Sequence, residues 1–276
     1  MVIIGNLYEH NAIFRHLNLY VNDIKELERV LQLYPKEHKI VCWMMTNNIT
    51  GTCFPVEYIG KLCHKYGAYY IMDAVATIGH YPIPENLESF CDCLVTSGHK
   101  YHTEKDLGFM WVSDRFAKFL GFSNDSHEEY SFIRGTPNTG GAIALSYAVK
   151  HAIENVEKNS KKFEYLAQCL TFKLIKNCIA NKIFGYEETK THAINALYLP
   201  SLNADSLVQY LSSQNIFISP CYSACSNEAD YRTAEALGMT REQASQTIRV
   251  SFCEDTTEEH IDKLVNGIVK FKELFI

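Results

Sequence analysis

Reactive side chains recur where apolar, strand-like runs stop. "VTSGHK" (95–100) places Ser97, His99 and Lys100 directly after the β-prone run "CDCLV". Asp73 ends "AYYIM", Asn47 and Asn48 follow "IVCWMM", and His10 follows the first apolar run in "YEHNAIF". Each alone reads as an ordinary turn or capping residue. Open α/β sheets, however, bind ligands beyond the carboxyl ends of their strands. There an amine, a carboxylate, an amide and an imidazole would converge on one crevice. A lysine and an aspartate in such a crevice suit pyridoxal phosphate, held as a Schiff base with an acidic residue on the pyridine nitrogen. The aspartate would keep that nitrogen protonated, and the lysine would act as general base for a substrate Cα–H. His10 would stack on the ring and Asn48 would donate to its phenolic oxygen.

The elements that must position these residues alternate. "MVIIG" reads as a strand and "NDIKELERVLQLY" (22–34) as a helix capped by Asn22 or Asp23. "HKIVCWMMT" (38–46) is a continuous buried strand, and "PVEYIGKLCHKYG" (55–67) a helix with proline at its start and glycine at its end. "AYYIMDAV", "CDCLVTS" and "GFMWVS" follow as short strands. This pattern predicts an α/β fold: a mostly parallel sheet with helices on both faces, over residues 1–141. A long helical segment over 142–181 leads to a smaller α+β domain, 182–276. That domain holds the strand "AINALYLP", the helix "ADSLVQYLSSQ", the strands "IFISP" and "QTIRVSF", and a terminal helix from Thr256. The first strand has no preceding element to cover its edge.

The 276 residues are 47% hydrophobic and 21% charged, with a formal charge of −6, a soluble globular composition. A net acidic chain without a long basic run points away from nucleic acid and anionic membranes. No stretch approaches the roughly 18 uninterrupted apolar residues of a membrane span. "MVIIGNLYEHNAIF" lacks the charged and apolar regions of a signal peptide. Ten cysteines without an export signal imply free thiols in a reducing, cytoplasmic compartment. "CDC" (91–93) lies in a strand and no paired CxxC motifs occur, so no metal site is expected.

The pieces "EHNAI", "NNITGTCFPVEYIGKLCHKYGA", "MDAVATIG", "LVTSGHK", "RGTPN", "YSACSN" and "TIRVSFCEDTTEEHID" occur in an order and spacing that extend over essentially the whole chain. In these the chain resembles the class V group of fold-type I pyridoxal-phosphate enzymes, specifically the NifS-like cysteine desulfurases. The resemblance implies that Lys100 carries the Schiff base and Asp73 faces the pyridinium. It implies that His10 stacks on the ring and Asn48 contacts the phenolic oxygen. Ser97 and His99 would hold the phosphate, and Thr136 of "RGTPN" would reach the phosphate of a neighbouring subunit's cofactor in a homodimer. Arg249 would bind the substrate carboxylate, with Asn48 beside it; a guanidinium fork suits that contact. Cys225, in a loop of small and polar residues, would attack the sulfur of L-cysteine, forming a persulfide and leaving alanine. The sulfur would pass to an acceptor or scaffold protein, for iron–sulfur cluster or other pathways. Cys221 and Cys253 carry no such match.

Three departures from the family pattern stand out. The family's N-terminal glycine–threonine turn, a phosphate anchor, has no counterpart, so the chain reads as shortened at its start and weaker in cofactor affinity. Ala76 stands where the family places Gln or His near the ring oxygen. "YHTEKDLG" follows the lysine where the family has a glycine-rich turn, with Thr103 and Asp106 in place of glycines. The functional reading is a cysteine desulfurase. The alternatives are a selenocysteine lyase-like enzyme and a cofactor-poor homologue that serves as a binding or dimerisation partner.

Overall fold

The structure is a computed structural model and describes residues 1–122, 136–185, 189–222 and 231–275. The chain divides into two units, Met1–Met45 with Phe54–Val156, and Thr46–Cys53 with Glu157–Ile276. Among the described residues no helix is long and apolar enough to cross a membrane.

The first unit contains strands β1 (Val2–Asn6), β2 (Leu19–Val21), β3 (Lys39–Met44), β4 (Tyr69–Asp73), β5 (Cys93–Val95) and β6 (Met110–Val112). They form one sheet in the order β2-β1-β3-β4-β5-β6, parallel throughout except that β6 runs antiparallel to β5. Its helices are α1 (Asn11–Phe14), α2 (Ile24–Leu33), α3 (Val56–Lys65), α4 (Asp114–Leu120) and α5 (Thr139–Glu154). The mostly parallel α/β architecture expected from the alternating pattern is the one found.

Every residue of β3 is buried, as a central strand covered on both faces must be. Ile40, Cys42, Tyr69, Ile71, Cys93, Val95 and Val112 share one face and pack on Phe14, Leu17 and the α4 side chains Phe116 and Phe119. The period of two turns Val41, Trp43, Tyr70, Met72 and Leu94 to the other face. On α3, Gly60 comes so close to the Phe90 carbonyl that any Cβ would collide with it. Asp23, not Asn22, caps α2, accepting from the Glu26 backbone N–H. The expectation of an uncovered first strand is corrected: β1 lies between β3 and β2. "LYV" is too short to announce itself as the strand that covers that edge.

The second unit has an antiparallel sheet in the order β7-β8-β10-β9. The strands are β7 (Lys182–Phe184), β8 (Ile194–Tyr198), β9 (Ser219–Pro220) and β10 (Thr247–Ser251). Its helices are α6 (Val156–Lys176), α7 (Ala204–Ser213), α8 (Arg232–Ala236), α9 (Arg241–Ser245) and α10 (Glu258–Phe275). The long helical stretch is thus two helices, α5 ending at Glu154 and α6 starting at Val156, with Asn155 between them. Segment 46–53 is held to this unit by the bridge between Thr52 and Lys190 and by Thr191 N–H donating to the Gly51 carbonyl.

Candidate active site

Parallel pairing sets Met44, Asp73 and Val95 side by side at the carboxyl ends of β3, β4 and β5. Asp73 is the last residue of β4, 8% exposed, and its Oδ1 accepts from the Val75 N–H at 2.8 Å. Burial raises its pKa above the usual carboxylate value, partly offset by that N–H. A carboxylate placed so is stabilised by a cation set against it.

Three residues beyond Val95 the chain enters a 3₁₀ turn, Gly98–Tyr101. Tyr101 roots this turn: it is buried, pairs its hydroxyl with Thr96 Oγ1 at 3.0 Å, and packs with Ile78, Leu145 and Ala152. A Cβ on Gly98 would collide with Thr103 Oγ1 and crowd Leu145, so the turn closes only on glycine. Its neighbours His99 and Lys100 are exposed, while Ser97 Oγ lies 2.8 Å from His99 Nδ1. The adjacency of the histidine and lysine follows: a buried glycine and a buried tyrosine pin the turn and leave two polar residues outward.

The glycine-poor stretch that follows is rebuilt with left-handed backbone at His102 (φ 70°) and Asp106 (φ 63°). Histidine and aspartate enter that region more readily than most residues other than glycine. The stretch closes back through Gly98 N–H to the Leu107 carbonyl at 2.8 Å and Thr103 N–H to the Gly98 carbonyl at 3.2 Å. Ala76 is buried, and its carbonyl lies 3.2 Å from His80 Nδ1.

His10 is the N-cap of α1, with Nδ1 accepting from the Ala12 N–H at 3.2 Å. Its position is set by Glu9, a fully buried carboxylate that sequence reasoning passed over. Glu9 Oε1 accepts from Met44 N–H at 2.6 Å and from Asn6 Nδ2 at 2.9 Å, tying the carboxyl ends of β1 and β3 together. A charged residue directly after a buried strand, as in "EHNAI", was the available signal. Thr136 is exposed and lies two residues before Asn138, which caps α5 by accepting from the Gly141 N–H.

In the second unit, Asn47 is fully buried and its Oδ1 accepts from Ile49 N–H at 2.9 Å and Thr50 N–H at 3.0 Å. This side-chain turn fixes the course of Asn48, whose carbonyl accepts from Arg249 Nη1 at 3.1 Å. Arg249 lies on β10 opposite Ala196 and Ser219. Cys225 lies outside the described residues. Cys221 is buried, which pushes its thiol up to about 12; Cys253 is half-buried beside Thr256 Oγ1.

Sequence reasoning therefore named residues that fall into two groups. His10, Asp73, Ser97, His99 and Lys100 are carried on the carboxyl edge of the parallel sheet, and Thr136 precedes α5 in the same unit. Asn48 and Arg249 meet in the other unit. The donor set of the first group fits pyridoxal phosphate. It offers an amine for an aldehyde, a hydroxyl and imidazole for a phosphate, and a buried carboxylate for a ring cation.

Residues 7–264 match the family model described as aminotransferase class-V. The chain belongs to that family. The matched span of this class-V aminotransferase takes in every candidate residue named above, from His10 to Arg249. A cysteine desulfurase of Nostoc sp. is 30% identical over 258 residues, 91% of this chain and 62% of that protein. A cysteine desulfurase of Trichormus azollae is similar to the same extent. The chain thus spans 62% of the length of these two relatives. A solved structure of a NifS-like protein superposes with a TM-score of 0.83 at 24% identity, over 99% of this chain and 75% of that one, a likeness of fold.

Proposed function

We propose that this class-V aminotransferase chain is a cysteine desulfurase that uses pyridoxal phosphate to convert L-cysteine to L-alanine, passing the sulfur to Cys225. The observation that carries the reading is the register that sets Asp73 beside Val95, two residues before the Ser97–Lys100 turn. A buried carboxylate and an exposed amine thereby share one edge of the sheet. The cysteine desulfurases among its relatives support the choice of reaction.

The cofactor, when bound, supplies the electron sink for the pair left at the substrate Cα. Lys100 would hold the cofactor's aldehyde and would move the substrate Cα proton. Asp73 would keep the ring nitrogen protonated, His10 would stack on the ring, and Ser97 with His99 would hold the phosphate. Arg249 binds the substrate carboxylate beside Asn48. The Cys225 thiolate attacks the substrate sulfur; an S–S bond forms as the Cβ–S bond breaks, and Cβ takes a proton. L-cysteine and enzyme thiol thus become L-alanine and enzyme persulfide, with atoms and electrons in balance. The persulfide then goes to an acceptor or scaffold protein. Thr136 serves the phosphate site of a second copy, which makes the working form a homodimer.

The test is to incubate the purified chain with pyridoxal phosphate and L-cysteine, measuring alanine and, with a reductant, sulfide. Equimolar alanine and sulfide are expected, with both lost in Lys100→Ala. Turnover without sulfide would move the protein to another class V reaction. Sedimentation is expected to show a dimer, and a fully active monomer would remove Thr136 from the site.

A further inference from the structure

Tyr101 follows Lys100 directly and closes the same 3₁₀ turn, Gly98–Tyr101. Its ring is buried, packed with Ile78, Leu145 and Ala152, whereas Lys100 is exposed. Packing accounts for the ring but not for its hydroxyl. A buried hydroxyl costs free energy unless it is bonded, so its partner is informative.

That partner is Thr96, the first residue after β5. Tyr101 Oη lies 3.0 Å from Thr96 Oγ1, which lies 3.3 Å from the Phe109 carbonyl oxygen and 3.4 Å from the Phe109 nitrogen. A carbonyl oxygen only accepts, and threonine has one hydroxyl hydrogen. All these contacts are satisfied together only when Thr96 donates to the Phe109 carbonyl and Tyr101 donates to Thr96. Burial raises the Tyr101 pKa above the ordinary tyrosine value, partly offset by the Thr96 bond, so the hydroxyl keeps the hydrogen it donates. The Thr96 N–H also donates to the Phe109 carbonyl, at 3.0 Å.

The turn is thus held at both ends. Gly98, at its start, is tied by backbone bonds to Leu107 and Thr103. Tyr101, at its end, is tied by its hydroxyl to the end of β5 and, through Thr96, to the residue before β6. Lys100 lies between the two ties. We propose that Tyr101 is a positioning residue for Lys100: by donating its hydroxyl hydrogen to Thr96 it fixes the end of the turn whose backbone carries the amine. This rests on Lys100 being the amine that takes the cofactor's aldehyde.

The test is the rate at which the apoprotein captures pyridoxal phosphate on Lys100, read by mass spectrometry after a borohydride quench. Lys158, exposed on α6, serves as the reference amine. Tyr101→Phe keeps the ring and loses only the hydroxyl. It should slow capture on Lys100 about fivefold, the loss of one net hydrogen bond, and leave Lys158 unchanged. Thr96→Ser, which keeps a hydroxyl, should capture at the original rate. In a Thr96→Val background, Tyr101→Phe should add nothing, because the bond is already gone. An unchanged rate in Tyr101→Phe, even with a lower melting temperature, would make the residue part of the core alone and overturn the role. A further loss of the same size in the Thr96→Val background would overturn the route through Thr96. If the unmodified protein forms no adduct on Lys100, the reading of Lys100 falls, and this role with it.

Discussion

Arg249 and Asn48, 201 residues apart in sequence, are joined by a 3.1 Å hydrogen bond from the guanidinium Nη1 to the Asn48 carbonyl. The arginine is rooted in β10 between two neighbouring strands. The asparagine sits on a turn whose shape is set by the buried Asn47 side chain. The two are therefore one piece, and a ligand that draws on the guanidinium also bears on the Asn48 backbone.

Arg249→Lys should test this directly. An ammonium cannot reproduce the planar fork that grips a carboxylate and a carbonyl together. Losing one charge-assisted bond costs about 2 kcal/mol, or roughly thirtyfold in affinity. The KM for L-cysteine should rise by about that factor while kcat changes much less. A fall in kcat at constant KM would assign Arg249 to another step.

Asp73→Asn should separate stability from turnover. Burial raises the folded-state pKa of Asp73, so folding favours the protonated acid. For such a group the stabilisation is present below the unfolded-state value, near 3.8, and is lost as pH rises through the raised folded value. An amide of the same size never ionises and escapes that loss. The apoprotein carrying Asp73→Asn should therefore melt higher than the unmodified apoprotein at neutral pH, and by less as the pH falls. Its alanine production should nonetheless collapse, because an amide cannot hold a pyridine nitrogen protonated. A lower melting temperature together with normal turnover would contradict both halves.

How much of this was legible in the sequence depends on range. Continuous apolar runs such as "IVCWMM" (40–45) announce buried parallel strands, and polar residues at their ends announce a ligand edge. Asp73 and Lys100 could be paired because parallel strand ends are neighbours by construction. The three-residue β2 could not be seen, since "LYV" has neither the length nor the flanking signals of a strand. The allegiance of segment 46–53 was equally invisible. It depends on Thr191, Lys190 and Arg249, which contact it from more than a hundred residues away. Glu9 was passed over for a related reason: its bond from the Met44 N–H is to a backbone atom, and backbone partners leave no mark on side-chain types.

Asp92 anchors the opposite, amino-terminal end of β5, and Arg115 should prove its chief support. Asp92 is 1% exposed and accepts from Arg115 Nε at 2.9 Å and Nη2 at 2.6 Å, from His64 Nε2 at 3.0 Å, and from Tyr70 N–H at 2.9 Å. Burial alone would raise its pKa, but the hydrogen bonds from His64, Arg115 and Tyr70 and the Arg115 charge reverse this, to about 2. The depressed value means the stabilisation is present above 3.8 and lost as pH falls through about 2. Arg115→Ala leaves a buried charge short of its main partner. It should cost about 3 kcal/mol in urea unfolding at neutral pH, the low end for such pairs because the arginine side chain is itself 43% exposed. The penalty should shrink toward pH 2, where Asp92 can protonate in either protein. A cost below about 0.5 kcal/mol would place the pair with ordinary surface bridges.

On the proposed function Cys225 is the residue that takes the sulfur, and the other thiols sharpen the test of that role. Cys42, Cys53, Cys63, Cys91, Cys93 and Cys221 are buried. Burial pushes every one of them up: Cys53 to about 11, Cys91, Cys93 and Cys221 to about 12, and Cys42 and Cys63 further still. A thiol held neutral is a poor nucleophile, because only the thiolate attacks sulfur. Brief alkylation of the native protein should therefore spare these six and mark the exposed Cys178. If Cys225 is the sulfur-accepting thiolate, it too should be marked, and alkylation should end sulfide release in step with its modification. Cys178→Ser should leave release intact, which separates the contribution of Cys178 from that of Cys225. Cys225→Ser should abolish release, since a hydroxyl is a far weaker nucleophile toward sulfur at neutral pH, while the absorbance of the bound cofactor stays unchanged. After one turnover the added sulfur should map by mass spectrometry to Cys225 and not to Cys221 or Cys253. Full sulfide release from Cys225→Ser would show that another group takes the sulfur, and the assignment of desulfurase chemistry to this cysteine would fall.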